Sequence, residues 1–258
     1  MKKTENGAYA KLRRDVAEGH TENLYLFYGE ETYLKEHYKD RLVQLFGGQG
    51  FADFNVVVLD GDGVTADDLA DAVESLPVMS DRKLVLVRDL NLSRPPAGLK
   101  DQLQAILENV PDTVCLVLYF DTLEYKPDKR LKLWQTALKK GQAVEFSKAP
   151  PSELYPWIQR RCSALGKTIG RQECEYLTFV CGSLMTNLAS EIDKIAAGTP
   201  GEAIGKRDID RLACRVLEAQ IYQLTDCISS GDTAAAIRTL RDLLAPRFQP
   251  VVPGGAIG

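Results

Sequence analysis

Leu24-Tyr25-Leu26-Phe27-Tyr28-Gly29-Glu30-Glu31-Thr32-Tyr33-Leu34-Lys35 opens with a short apolar run, stops at a glycine and passes straight into a polar segment. The run reads as a strand buried on both faces. From Thr32 the spacing changes. Tyr33, Leu34, Tyr38, Leu42, Leu45 and Phe46 recur at helical intervals, and Gly47-Gly48 closes the segment. A strand, a glycine and then a helix is where an α/β nucleotide-binding protein carries its phosphate loop.

The same alternation continues along the chain. Residues 54–59 read as a second strand, followed by the turn Asp60-Gly61-Asp62-Gly63. Thr65 is placed to cap a short helix carrying Leu69, Ala70 and Val73, which breaks at Leu76-Pro77. Residues 83–88, 113–120 and 143–146 read as further strands, and 99–110 and 129–140 as helices. Continuous apolar strands separated by helices predict a parallel α/β sheet over residues 1–148. Beyond Lys148-Ala149-Pro150-Pro151 the pattern becomes wholly helical. Short glycine-punctuated helices over 149–211 suit a small all-α bundle. A third segment, 212–258, holds two amphipathic helices and ends in Pro250-Val251-Val252-Pro253-Gly254-Gly255-Ala256-Ile257-Gly258. Two helices alone bury little surface, so this segment reads as part of a helical domain.

The 258 residues carry a net charge of -4, with 45% hydrophobic and 26% charged residues. The pI is about 5.4. An acidic chain lacks the basic surface with which a protein coats DNA on its own. No secretory signal and no apolar run of membrane-spanning length is visible, which predicts a cytoplasmic protein. Cys115, Cys162, Cys174, Cys181, Cys214 and Cys227 contain no C-x-x-C pair and sit mostly in apolar segments. They read as reduced, buried thiols, and the ligand spacing of a zinc site is missing.

A phosphate loop needs G-x-x-x-x-G-K-[ST], with glycines for close backbone approach and a lysine for charge. Here Gly29 is followed by Glu30 and Glu31, and the Gly-Lys-Thr ending is absent. Two carboxylates stand where polyphosphate would rest. Like charges a few ångströms apart cost roughly 1–4 kcal/mol at surface dielectrics. Asp89, after the strand 83–88, could hold Mg²⁺, but no adjacent glutamate is there to activate water, and it reads as a solvated loop residue. His20 and His37 are too few for a triad, and no G-x-S-x-G elbow occurs. No catalytic residue, metal site or cofactor is therefore expected.

The ordered set of these motifs resembles the delta subunit of the bacterial DNA polymerase III clamp loader. Tyr28-Gly29-Glu30-Glu31-x-Tyr33-Leu34 is similar to that family's opening signature. Phe54-Asn55, Asp60-Gly61-Asp62 and Leu76-Pro77-Val78-Met79-Ser80-Asp81-Arg82-Lys83-Leu84-Val85 follow in the family's order. Trp157-Ile158, Leu165-Gly166, Asn187-Leu188-x-x-Glu191-Ile192 and Leu224-Thr225-Asp226 extend the likeness into the helical part. The resemblance implies an AAA+/RecA-like N-terminal domain without a working phosphate loop, a helical lid and a partial collar. It also implies contact with the sliding clamp (beta), with tau/gamma and delta prime subunits, and with primer-template DNA inside the replisome, with no membrane. Carried over residue by residue, the clamp contact is Leu76, Val78 and Met79, with Val78 and Met79 entering the clamp's pocket.

Read without the resemblance, those three residues are ordinary apolar core, although Pro77 favours a protruding elbow. The basic stretch 126–140 reads as a solvated face or as a DNA or subunit contact. The tail after Leu244 departs from the family and suggests a shortened collar that weakens ring assembly. A divergent ATPase and a stand-alone DNA-binding module are the competing functions.

Overall fold

A repeat of two along β1 (Leu24–Tyr28) sends Leu24 and Leu26 to one face of a sheet and Tyr25 and Phe27 to the other, and none of the four is exposed. The computed structural model describes residues 7–47, 52–96, 98–121, 128, 130–229 and 232–244. Its chain clusters into two units. The first comprises Met1–Ala149 with Leu184–Thr186, the second Pro150–Ser183 with Asn187–Gly258.

In the first unit α1 (Gly7–Ala17) precedes β1, and α2 (Thr32–Gly47) follows it. Then come α3 (Ala52–Asn55), β2 (Val56–Asp60), α4 (Ala66–Glu74), β3 (Lys83–Arg88), α5 (Leu99–Glu108), β4 (Val114–Tyr119), α6 (Lys132–Lys140) and β5 (Gln142–Glu145). The five strands are parallel in the order β2-β3-β4-β1-β5. Helices cover both faces. Leu69 and Val73 of α4, Leu103 and Leu107 of α5, and Leu133 and Trp134 of α6 pack with Leu24, Leu116 and Val85 on one side. Leu12 and Val16 of α1 and Tyr38 and Leu42 of α2 pack with Tyr25, Phe27 and Val117 on the other.

The strand expected over 54–59 begins later. Phe54 and Asn55 end the short helix α3, and pairing starts at Val56 against Leu84. A run of apolar residues does not distinguish one helical turn from an extended start. Helix α1 carries its own apolar pair and went unread beside the opening strand. The helix expected over 129–140 begins at Lys132, and Lys126 and Lys129 lie outside the described residues.

Met185–Gly198 forms α9, whose first two residues cluster with the first unit. The second unit contains the rest of α9 together with α7 (Pro151–Ala164), β6 (Thr168–Ile169), α8 (Arg171–Cys181), β7 (Ala203–Ile204), α10 (Lys206–Leu212), α11 (Leu217–Ser229) and α12 (Thr233–Leu244). Leu154, Ile158, Cys162, Leu177, Val180, Leu188, Ile192 and Ile209 are buried in it. The parallel ladder β6–β7 departs from a purely helical expectation; at two residues per strand it leaves no periodicity to read. The tail 245–258 lies outside the described residues. Among the described residues no helix is long and apolar enough to cross a membrane.

Candidate functional site

In an open parallel sheet, ligands sit beyond the carboxyl ends of the strands where the strand order reverses. Here the chain leaves β1 for the far edge, returns through β3 and β4, and crosses β1 to reach β5. The crevice is therefore set by Gly29 after β1, Phe120 and Asp121 after β4, and Phe146 after β5.

That crevice is closed by the protein's own groups. The Phe146 N–H donates to the Tyr28 carbonyl at 2.7 Å, and the Glu31 N–H donates to the Phe146 carbonyl at 2.9 Å. Gly29 has φ 115°, and a Cβ on it would collide with the Phe146 backbone. Glu30 is exposed and pairs with Lys148 at 3.4 Å. Glu31 instead is 0% exposed. Its Oε2 accepts from the Met185 N–H at 3.1 Å, and the Tyr33 N–H also donates to the carboxylate. One carboxylate thus meets amides at the first turn of α2 and at the start of α9, where helix ends favour negative charge. Burial nonetheless pushes the Glu31 carboxyl above its ordinary range, and these two amides pull it back. Its Oε1 has no partner.

Lys35 stands seven positions along from Gly29, counting both, where a phosphate loop puts its lysine. Leu34 and Glu36 occupy the flanking positions of the motif. Its Nζ is turned into the fold and donates to the Phe120 carbonyl at 2.5 Å, and the side chain is 3% exposed. Burial lowers its pKa, while Asp121 and Asp89 oppose that shift. Asp89, expected to be a solvated loop residue, has φ 54°. Its carboxylate accepts from the Asp121 N–H at 2.8 Å, so it ties the ends of β3 and β4 together. Among the described residues no group of three or more His, Cys, Asp or Glu is arranged to hold a metal ion.

The second candidate lies between α4 and β3. Thr65 and Asp68 form a reciprocal capping box that starts α4, and Ser75 ends it in an extended conformation before Pro77. The loop then carries Leu76, Val78 and Met79 at 79%, 42% and 81% exposure. Met79 has φ 51°, a left-handed conformation rare for an unbranched apolar residue. The stem is tied down. Lys83 Nζ donates to Ser75 Oγ at 2.7 Å, and the Arg82 guanidinium donates to the Thr21 and Val114 carbonyls at 3.0 Å each and to Asn23 Oδ1 at 2.7 Å. The structure brings Leu76, Val78 and Met79 together in this one loop, and Gly29, Glu30 and Glu31 in the crevice.

The model of the family "DNA polymerase III, delta subunit" matches residues 25–147, the segment that holds both the crevice and the loop. Over that segment the chain is similar to the delta subunit of DNA polymerase III. A curated delta-family relative, DNA polymerase III subunit delta of Bacillus subtilis (strain 168), is 24% identical over 243 residues, covering 92% of this chain and 70% of the relative. The solved Bacillus subtilis DNA clamp loader delta protein (YqeN) is 25% identical with a TM-score of 0.60, covering 93% of this chain and 73% of that one. The Thermotoga maritima RuvB Holliday junction branch migration motor shares the fold at a TM-score of 0.54 and 14% identity, over 91% of this chain and 81% of its own. The parallel α/β fold is thus shared with AAA+-type neighbours, and the family model, the curated relative and YqeN each name a delta protein.

Two supports of the 76–79 loop were not assigned a role from sequence: Asn55 and Arg82, each quoted there only as part of a motif. Asn55 is 23 residues from Val78, and the distant acceptors of Arg82 leave no trace in spacing. Of the cysteines, Cys115, Cys162, Cys174 and Cys181 are buried, whereas Cys214 is exposed and Cys227 half-buried. Burial pushes the Cys115 and Cys181 thiols up to about 12. Such thiols are inert. Within the basic stretch, Lys139 and Lys140 are exposed in the last turn of α6.

Proposed function

We propose that this chain binds the sliding clamp through Leu76, Val78 and Met79 and holds one interface of the ring open, without a reaction of its own. The observation that carries the reading is an apolar trio exposed on a loop whose stem is hydrogen-bonded to the residues before β1 and to β4. Exposed apolar side chains on a fixed elbow suit insertion into an apolar pocket, where central anchors contribute about 2 kcal/mol or more each. A contact made better with the open ring than with the closed one shifts the ring toward opening by that difference in affinity. The similarity to delta subunits supports the reading, as does a crevice filled by Glu31 and Lys35.

We further infer a division into an α/β clamp-contact module over 1–148, a lid over 149–211 and part of a collar over 212–258. In this reading the chain assembles with tau/gamma and delta prime subunits, meets primer-template DNA within that assembly, and works in the cytoplasm at the replisome. The test is titration of purified chain against purified clamp without ATP. Val78→Ala combined with Met79→Ala leaves the fold intact and weakens binding at least tenfold. Unchanged affinity rejects the site.

A further inference from the structure

Asn55 is 1% exposed, yet its side chain reaches neither solvent nor a strand partner. Its Nδ2 donates to the Val78 carbonyl at 2.8 Å, and its Oδ1 accepts from the Val78 N–H at 2.8 Å. One side-chain amide thus engages both backbone groups of a single residue, as a neighbouring strand would. The placement follows from the sheet. Val56 pairs with Leu84, so the residue just before β2 stands beside the segment just before β3. Because α3 ends at Asn55, the side chain leaves the strand direction at that point.

We propose that Asn55 is a positioning residue that presets the Leu76–Met79 loop for its partner. The proposal rests on the reading of that loop as the clamp contact. Lys83 and Arg82 fix the two ends of the connection, whereas Asn55 fixes its middle. Among the described residues, Asn55 supplies the hydrogen bonds that reach residues 76–79. The next residue, Met79, holds a left-handed φ of 51° that a free loop rarely visits at a non-glycine. Pinning both polar groups of Val78 leaves its side chain and that of Met79 directed outward. Ordering the loop before contact removes an entropic cost that would otherwise fall on binding. An asparagine suits the role because it alone offers a donor and an acceptor at this reach. Aspartate loses the donor, and alanine loses both.

The test uses the full chain and the purified clamp. Without any mutation, hydrogen exchange at the Val78 amide is expected to be at least tenfold slower than at the Met79 amide. Equal exchange overturns the proposal. Asn55→Ala is expected to weaken clamp binding at least fivefold, with Asn55→Asp intermediate. In a Met79→Ala background the same Asn55→Ala change is expected to cost less than half as many fold, because both act through one loop. An equal cost in both backgrounds assigns Asn55 a general structural role and overturns the proposal. If Asn55→Ala binds normally while Val78→Ala with Met79→Ala does not, Asn55 is dispensable and the contact stands. If the paired variant also binds normally, the contact reading itself has failed.

Discussion

Glu30 and Glu31 are adjacent and chemically alike, yet only one is taken out of water. Glu30 stays exposed beside Lys148, while Glu31 is enclosed and receives the amides of Tyr33 and Met185. A carboxyl whose folded pKa is raised binds more protons folded than unfolded. Its contribution to stability therefore falls as pH rises from the unfolded value, 4.5, through the folded one. Glutamine keeps an oxygen for both amides and does not titrate. The stability of Glu31→Gln relative to the parent should thus increase as pH is raised across that window. Thermal unfolding of both proteins at a series of pH values measures it; a difference that is flat or shrinks with rising pH contradicts a raised Glu31.

At the scale of elements, the α4–β3 connection is notable for how many distant segments hold it. Arg82 joins it to residues before β1 and to the first residue of β4, and its guanidinium lies 6.0 Å from the Phe46 ring centroid. The planar fork addresses several acceptors at once, which a lysine ammonium does not. Arg82→Lys is expected to lose about 1–3 kcal/mol, read from urea denaturation, by leaving partly buried acceptors unpaired. It should also loosen the stem of the loop and, on the proposed reading of that loop, weaken clamp binding. The helix α4 and the strand β3 were legible beforehand from Thr65, Pro77 and the apolar run 83–88. The exposure of Leu76, Val78 and Met79 was not legible from the residues alone, because the same three letters also fit a core; Pro77 and the resemblance pointed outward.

For the molecule as a whole, the strand order places a ligand crevice at Gly29, and the chain's own groups fill it. Lys35 is bonded to Phe120, Asp89 receives Asp121, and Glu31 is enclosed. A polyphosphate would have to displace the Phe146 backbone and lie against a buried carboxyl. Calorimetric titration with ATP and Mg²⁺ is expected to give no saturable binding and no turnover, and saturable uptake with turnover would refute this view of the crevice. The sequence by itself determined the alternation of strands and helices, the parallel sheet and the departure from a phosphate loop, because periods of two and of about 3.6 residues are local properties of the chain. The tertiary structure alone decided which glutamate is buried, where Lys35 points, and that Asn55 meets Val78. Those outcomes depend on which segments the sheet brings side by side, and spacing along the chain carries no record of distances across it.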